Sequence, residues 1–269
     1  MALRSVPDYT TLYRFLRRLD ETAITRALNE VVHRMTLPGP RRRAPVAADA
    51  TGLSPGAIST FFVRRMYHHN QQPMPWRHWL KWLVAVDLNQ QLLLAQKAHA
   101  GPTNDGANLR PLLDNAHTVR TIGLVLADAE FDSELNHTHI RQRLGARSII
   151  PAKRGKKTWR LHGIRAQMRN HFPRHLYCRR AIVETVFSAV KRKLSCRAPG
   201  RSLLTQRRQA LLLGLTYNLY RLRHLVFFYS MSTEPACFKI GCLRTEAGGH
   251  YACPRRLPLH AEELVFIRP

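Results

Sequence analysis

The sequence predicts a mixed α/β sheet, antiparallel among its early strands and joined by crossover connections later, with helices on its faces. Three observations carry this. Short apolar runs recur as strands at 45–49, 81–87, 92–99, 121–128 and 147–151. Helical segments alternate with the later strands, which is how a chain returns to a parallel neighbour. The 81–87 and 92–99 runs are separated by a turn at Asn89-Gln90, the signal of a hairpin. With 269 residues, 45% of them hydrophobic, the chain can bury one sizeable core with appendages, or two small ones.

Each element has its own justification. Residues 8–37 place Leu12, Phe15, Leu16, Leu19, Ile24, Leu28, Val31, Val32 and Met35 at helical spacing with arginines between them, so they form one or two basic helices. Asp20 and Thr22 suit the cap of the second. Pro38-Gly39-Pro40 and the three arginines after it read as a linker. The 45–49 strand ends on Asp49, and 58–63 is rich enough in β-branched and aromatic residues to be another strand. Residues 104–116 are helical, capped by Thr103 or Asn104. The run 121–128 is continuously apolar and ends on Asp128, the pattern of a strand buried on both faces. A helix over 133–144, a short strand at 147–151 and a basic loop at 153–157 follow. Two helices come last, over 177–194 and 203–229. Beyond Ser230, Cys, Gly and Pro gather without periodicity. The expected division is a basic helical region 1–43, a central domain 44–229 and an irregular tail 230–269.

Charge narrows the function. A formal net charge of +26 exceeds what solubility needs and implies a polyanionic partner, nucleic acid first. No basic amphipathic helix or lipidation signal supports a membrane, and the most apolar long stretch, 210–229, is interrupted by Asn218, Arg221, Arg223 and His224. The first residues lack the apolar core of a signal peptide. Five cysteines form no C-x-x-C pair, and the odd number argues against a disulfide framework, so a reducing, cytoplasmic setting is expected. A zinc site from Cys237, Cys242 and Cys253 with His250 or His260 is the weaker reading.

The chemistry gathers around one segment. Residues 135–233 hold 22 Lys and Arg but a single acid, Glu184. On a regular helix Tyr177, Arg180, Glu184 and Lys191 share a stripe roughly 60° wide. A plain amphipathic helix with one Arg180–Glu184 pair accounts for that stripe taken alone. Asp49 and Asp128, each ending an apolar strand, change the balance. Carboxylates at strand ends facing a helix that supplies a third give the hard oxygen ligands that paired magnesium ions require. Asp87, Glu130 and Asp132 are rivals; Asp87 belongs to the hairpin, and Asp132 suits a helix cap.

Tyr177-x2-Arg180-x3-Glu184-x6-Lys191 resembles, in full, the signature of the DDE transposases of bacterial insertion sequences. Asp49-Ala50-Thr51-Gly52-Leu53 is similar to the block bearing that family's first catalytic aspartate. The 81–87 strand with Gly101-Pro102-Thr103-Asn104-Asp105 resembles its next blocks. Leu126-Ala127-Asp128, with Ile149-Ile150-Pro151-Ala152-Lys153 after it, resembles the block around its second aspartate. The resemblance spans residues 49–225. It implies an RNase H-like fold, a mixed five-stranded sheet flanked by helices, whose Asp49, Asp128 and Glu184 bind two Mg2+ ions, with Mn2+ as an alternative. It assigns Tyr177, Arg180 and Lys191 to phosphates of double-stranded DNA, at transposon ends and target, and implies a dimer on DNA. Ala50 departs from the residue commonly following the first aspartate. The 55 residues between Asp128 and Glu184 leave no room for the β-rich insertion of some members. A catalytically inactive DNA-binding derivative and a nuclease of the same fold are the alternatives.

Overall fold

The computed structural model describes residues 8–35, 43–54, 79–101, 105–153, 162–200 and 202–233, with side chains of the last helix given through Arg223. Five strands form one sheet: β1 (Ala44–Leu53), β2 (Leu80–Asp87), β3 (Leu92–Ala100), β4 (Ile122–Ala127) and β5 (Arg147–Ile149), in the order β3-β2-β1-β4-β5. The first three pair antiparallel, while β4 and β5 run parallel to β1. The expected sheet is therefore the observed one. The expected strand 58–63, most of the Pro38–Arg43 linker, the loop 154–157 and the tail beyond Thr233 lie outside the described residues.

Helices cover both faces. Alternation along β1 sends Val46, Ala48 and Ala50 to one side, where they meet Leu109, Leu112 and Leu113 of α3 (Leu109–Val119). Ala47 and Leu53 go to the other, against Val183, Val186 and Val190 of a helix described below. At the amino end, α1 (Tyr9–Arg18) buries none of its residues, whereas α2 (Glu21–Met35) puts Val32 and Leu28 into the two cores.

Three helices differ from expectation, each for a local reason. The 104–116 helix begins later, at Leu109, because Asp105–Ala107 makes a 3-10 turn held by the fully buried Asp105, which pairs with Lys81 at 2.6 Å and His99 at 3.0 Å. The 133–144 helix is short, α4 (Glu134–Thr138), capped by Ser133 and continued by a π turn over His139–Arg143. The 177–194 helix is in pieces. After α5 (Gly163–Asn170) come a single turn, α6 (Arg174–Tyr177), a 3-10 turn (Cys178–Arg180) and then α7 (Ala181–Lys193).

The last helix, α8 (Leu203–Thr233), lies along the edge strand β3. Its buried Asn218 accepts from Leu93 N at 3.0 Å and donates to Leu93 O at 2.9 Å. Gln96 donates to Leu211 O, and Tyr217 to Gln91 O. A Cβ at Gly214 would collide with the Gln96 side chain, so the missing side chain permits this close approach.

Candidate active site

The two aspartates are placed by the sheet. Ala48 pairs with Ala127 in parallel register on neighbouring strands, which lie about 4.8 Å apart, and Asp49 and Asp128 are the next residue of each. Both have the parity of Ala47 and Leu126 and so belong to the face covered by α7. Each aspartate accepts from the backbone N–H after it, Asp49 from Ala50 at 2.8 Å and Asp128 from Ala129 at 2.6 Å. Asp128 thereby caps the 3-10 turn Ala129–Phe131 that closes its strand.

Arg180 joins the sheet to the helix. Its Nη1 donates to Asp49 Oδ2 at 2.6 Å and its Nη2 to Glu184 Oε1 at 2.7 Å. Asp49 and Arg180 are each 17% exposed at the side chain, while Glu184 is 59% exposed. The Tyr177 ring lies under the guanidinium, 5.8 Å from its carbon. A 3-10 turn has three residues per turn, so residues three apart stack; a regular helix would have offset them. Phe172 packs edge-on against Tyr177 at 4.9 Å. Further along α7, Lys191 Nζ donates to Thr51 Oγ1 at 2.6 Å. Sequence reasoning had not singled out Thr51, although it lies two residues past Asp49 and hence on the same face.

The electrostatics are unbalanced in a useful direction. Burial pushes the Asp49 carboxyl above the usual carboxylate range; Ala50 N–H and Arg180 only partly offset this, and Asp128 adds to it. Burial opposes the charge on Arg180, but Asp49, foremost among its neighbours, raises its pKa. Burial also raises Tyr177. Among the described residues no group of three His, Cys, Asp or Glu side chains is drawn together closely enough to hold a metal ion. The positive charge between Asp49 and Glu184 is Arg180 itself. The donor set nonetheless suits a hard divalent ion, being three carboxylates of which one is half-buried and under-compensated.

A family model of the transposase DDE domain matches residues 41–219. The chain belongs to the DDE transposase family. The match begins just before β1 and ends inside α8, so it takes in the whole sheet, all three acids and the Tyr177–Lys191 segment. DDE transposases act on DNA, and their domains generally use divalent metals. No curated protein matches the chain. Among the described residues no helix is long and apolar enough to cross a membrane.

Two of the rival acids, Asp87 and Asp132, have other duties. Asp87 is fully buried and binds Arg120 Nη1 at 2.6 Å and the Asn89 N–H of the hairpin at 2.8 Å. Asp132 does not cap the helix after it, since Ser133 does. Instead it receives Arg165 Nη2 at 2.6 Å and Lys153 N at 2.9 Å. The free cysteines Cys178 and Cys196 are exposed, and the residues of the zinc reading lie outside the described ones.

Proposed function

We propose that the chain is a transposase that cuts phosphodiester bonds at the ends of an insertion sequence and joins the freed 3′-hydroxyl to target DNA. The arrangement of its acids carries this reading: Asp49 and Asp128 at adjacent positions on one face, with Arg180 tying Asp49 to Glu184. In this reading Asp49, Asp128 and Glu184 hold two divalent ions, Mg2+ with Mn2+ as an alternative. Bound ions supply activation of the attacking oxygen and stabilisation of the departing one.

The side chains around the acids hold the substrate. Arg180 and Lys191 give donors to phosphate oxygens, and Tyr177 gives its hydroxyl beside them. First, a water oxygen bonds to phosphorus at the element's end, the bond from phosphorus to the 3′ oxygen breaks, and that oxygen leaves as a hydroxyl. Then the hydroxyl loses its proton and bonds to a target phosphorus, from which the target's own 3′ oxygen departs. Two ends must react together, so two copies act as a dimer on DNA, in the cytoplasm. Residues 1–43 add basic DNA contacts, residues 44–229 carry the chemistry, and residues 230–269 form the tail.

Glu184→Gln tests the reading. It keeps the side-chain shape and removes the charge, so gel-shift binding to duplex DNA should persist or tighten. Cleavage with magnesium on the same preparation should fall on the order of 100-fold or more. Cleavage near the wild-type rate would end the ligand role of Glu184. A wild-type protein that binds DNA but never cuts it would favour the inactive derivative.

A further inference from the structure

A second site lies at the β5 edge of the sheet, where Arg147 has the strand parity of Ile149 and hence of the acid face. A pocket of about 470 Å3 opens between the start of β5 and α5, lined by Arg141, Arg147, Gln167 and His171 around the Gly145 backbone. None of its lining residues is acidic. Arg147 and His171 are exposed, and no ion pair to Arg147 exists among the described residues. Arg141 comes from the π turn and is held by Ser148 Oγ at 3.0 Å and Gln167 Oε1 at 3.1 Å. Gly145, at φ +60°, makes the bend between the two arginines, and its carbonyl accepts from Arg43 at 2.8 Å. A third guanidinium therefore stands at the rim.

Among the described residues none of these three guanidiniums forms an ion pair with an acid. Burial and the neighbouring Arg147 both lower the pKa of Arg141, with only Glu134 acting the other way. Glu134 is committed elsewhere, accepting from Ile164 N at 3.2 Å and Arg165 N at 3.4 Å at the start of α5. Holding three guanidiniums around one bend costs repulsion that an anion between them would relieve.

The register gives this pocket its place relative to the active site. Arg147 pairs with Leu124 and Ile149 with Leu126, so Asp128 lies beyond the end of the β4–β5 pairing on the same strand face as Arg147. Four residues of strand separate Asp128 from the position opposite Arg147, or about 13 Å. Phosphates of one DNA strand succeed each other every ~3.4 Å along the duplex axis, so this distance is about four base pairs. The lining helix α5 also leads, through Phe172, directly into the Tyr177 turn.

We propose that this pocket binds a backbone phosphate of the duplex roughly four base pairs from the scissile bond, fixing the direction in which DNA leaves the acids. The proposal rests on the DNA reading of the acid site. Salt titrations of duplex binding test it, using Arg147→Ala, Arg147→Lys and, as a charge-matched control, Arg223→Ala. Arg223 is exposed on α8, which packs against the opposite edge strand, β3. Arg147→Ala should lower the log–log salt slope by about 1, Arg147→Lys by less, and the control by none. Arg147 is exposed and unpaired among the described residues, so thermal unfolding should not change. Wild-type binding with Arg147→Ala indistinguishable from the control overturns the pocket alone. A wild-type chain that does not bind duplex DNA overturns the reading beneath it.

Discussion

Asp49 and Asp132 each meet an arginine from a distant part of the chain, at 2.6 Å in both cases, yet folding moves their carboxyls in opposite directions. Asp132 is fully buried at its side chain, which alone would raise its pKa. His137, Arg165 and the Lys153 N–H more than reverse that and hold it well below the usual carboxylate range. Arg165 gives it both Nε and Nη2. Asp49 receives one N–H from its own neighbour and a guanidinium shared with Glu184, with Asp128 close by. The first carboxylate is saturated with donors and fastens α5 to the turn after β4. The second is left wanting positive charge. Saturation marks an anchor, and shortage marks a place that gains from a further cation.

The contrast breaks most readily at Asp132. Asp132→Asn leaves Arg165 without its buried counter-charge, and unfolding in urea should show a loss of about 3 kcal/mol or more. Asp49→Asn removes a charge that folding disfavours. Its unfolding free energy at neutral pH should be unchanged or higher by up to ~1 kcal/mol, although DNA cleavage is lost. A loss at Asp49 as large as that at Asp132 would erase the distinction.

The smallest effect is in pH. The lowered pKa of Asp132 contributes stability that is present above its unfolded value, about 4, and lost as pH falls toward the folded one. The raised pKa of Asp49 does the reverse: its penalty is absent below about 4 and appears as pH rises through the folded value. Unfolding measured from about pH 3 to pH 7 should therefore show the deficit of Asp132→Asn shrinking in acid. The advantage of Asp49→Asn should vanish there as well.

What the sequence disclosed is what depends on nearby residues. Asp49 and Asp128 are visible because each ends an apolar run, and the hairpin because a turn lies between two strands. The Tyr177–Lys191 spacing is visible as a motif, but the break inside it is not. Cys178-Arg179-Arg180 carries no Pro or Gly, and the 3-10 turn forms where Arg180 reaches Asp49, 131 residues back in the chain. Asp132 reads as a cap because it precedes a helix; its actual partner, Arg165, lies 33 residues ahead. The pocket at Gly145 combines a π turn, an edge strand and a helix, none of which announces the other two. Contacts across such separations are set by how elements pack, which periodicity does not encode.

The Asn218 amide has a consequence for how copies of the chain can meet. At the outer edge of β3 it offers Leu93 one acceptor and one donor, as a residue of a sixth strand would. A foreign strand seeking to extend the sheet there finds that backbone already satisfied and α8 in its way. At the opposite edge the described residues offer the three residues of β5. Growth of the sheet from one molecule into the next, the common route to fibrous aggregates, is thus blunted at both ends.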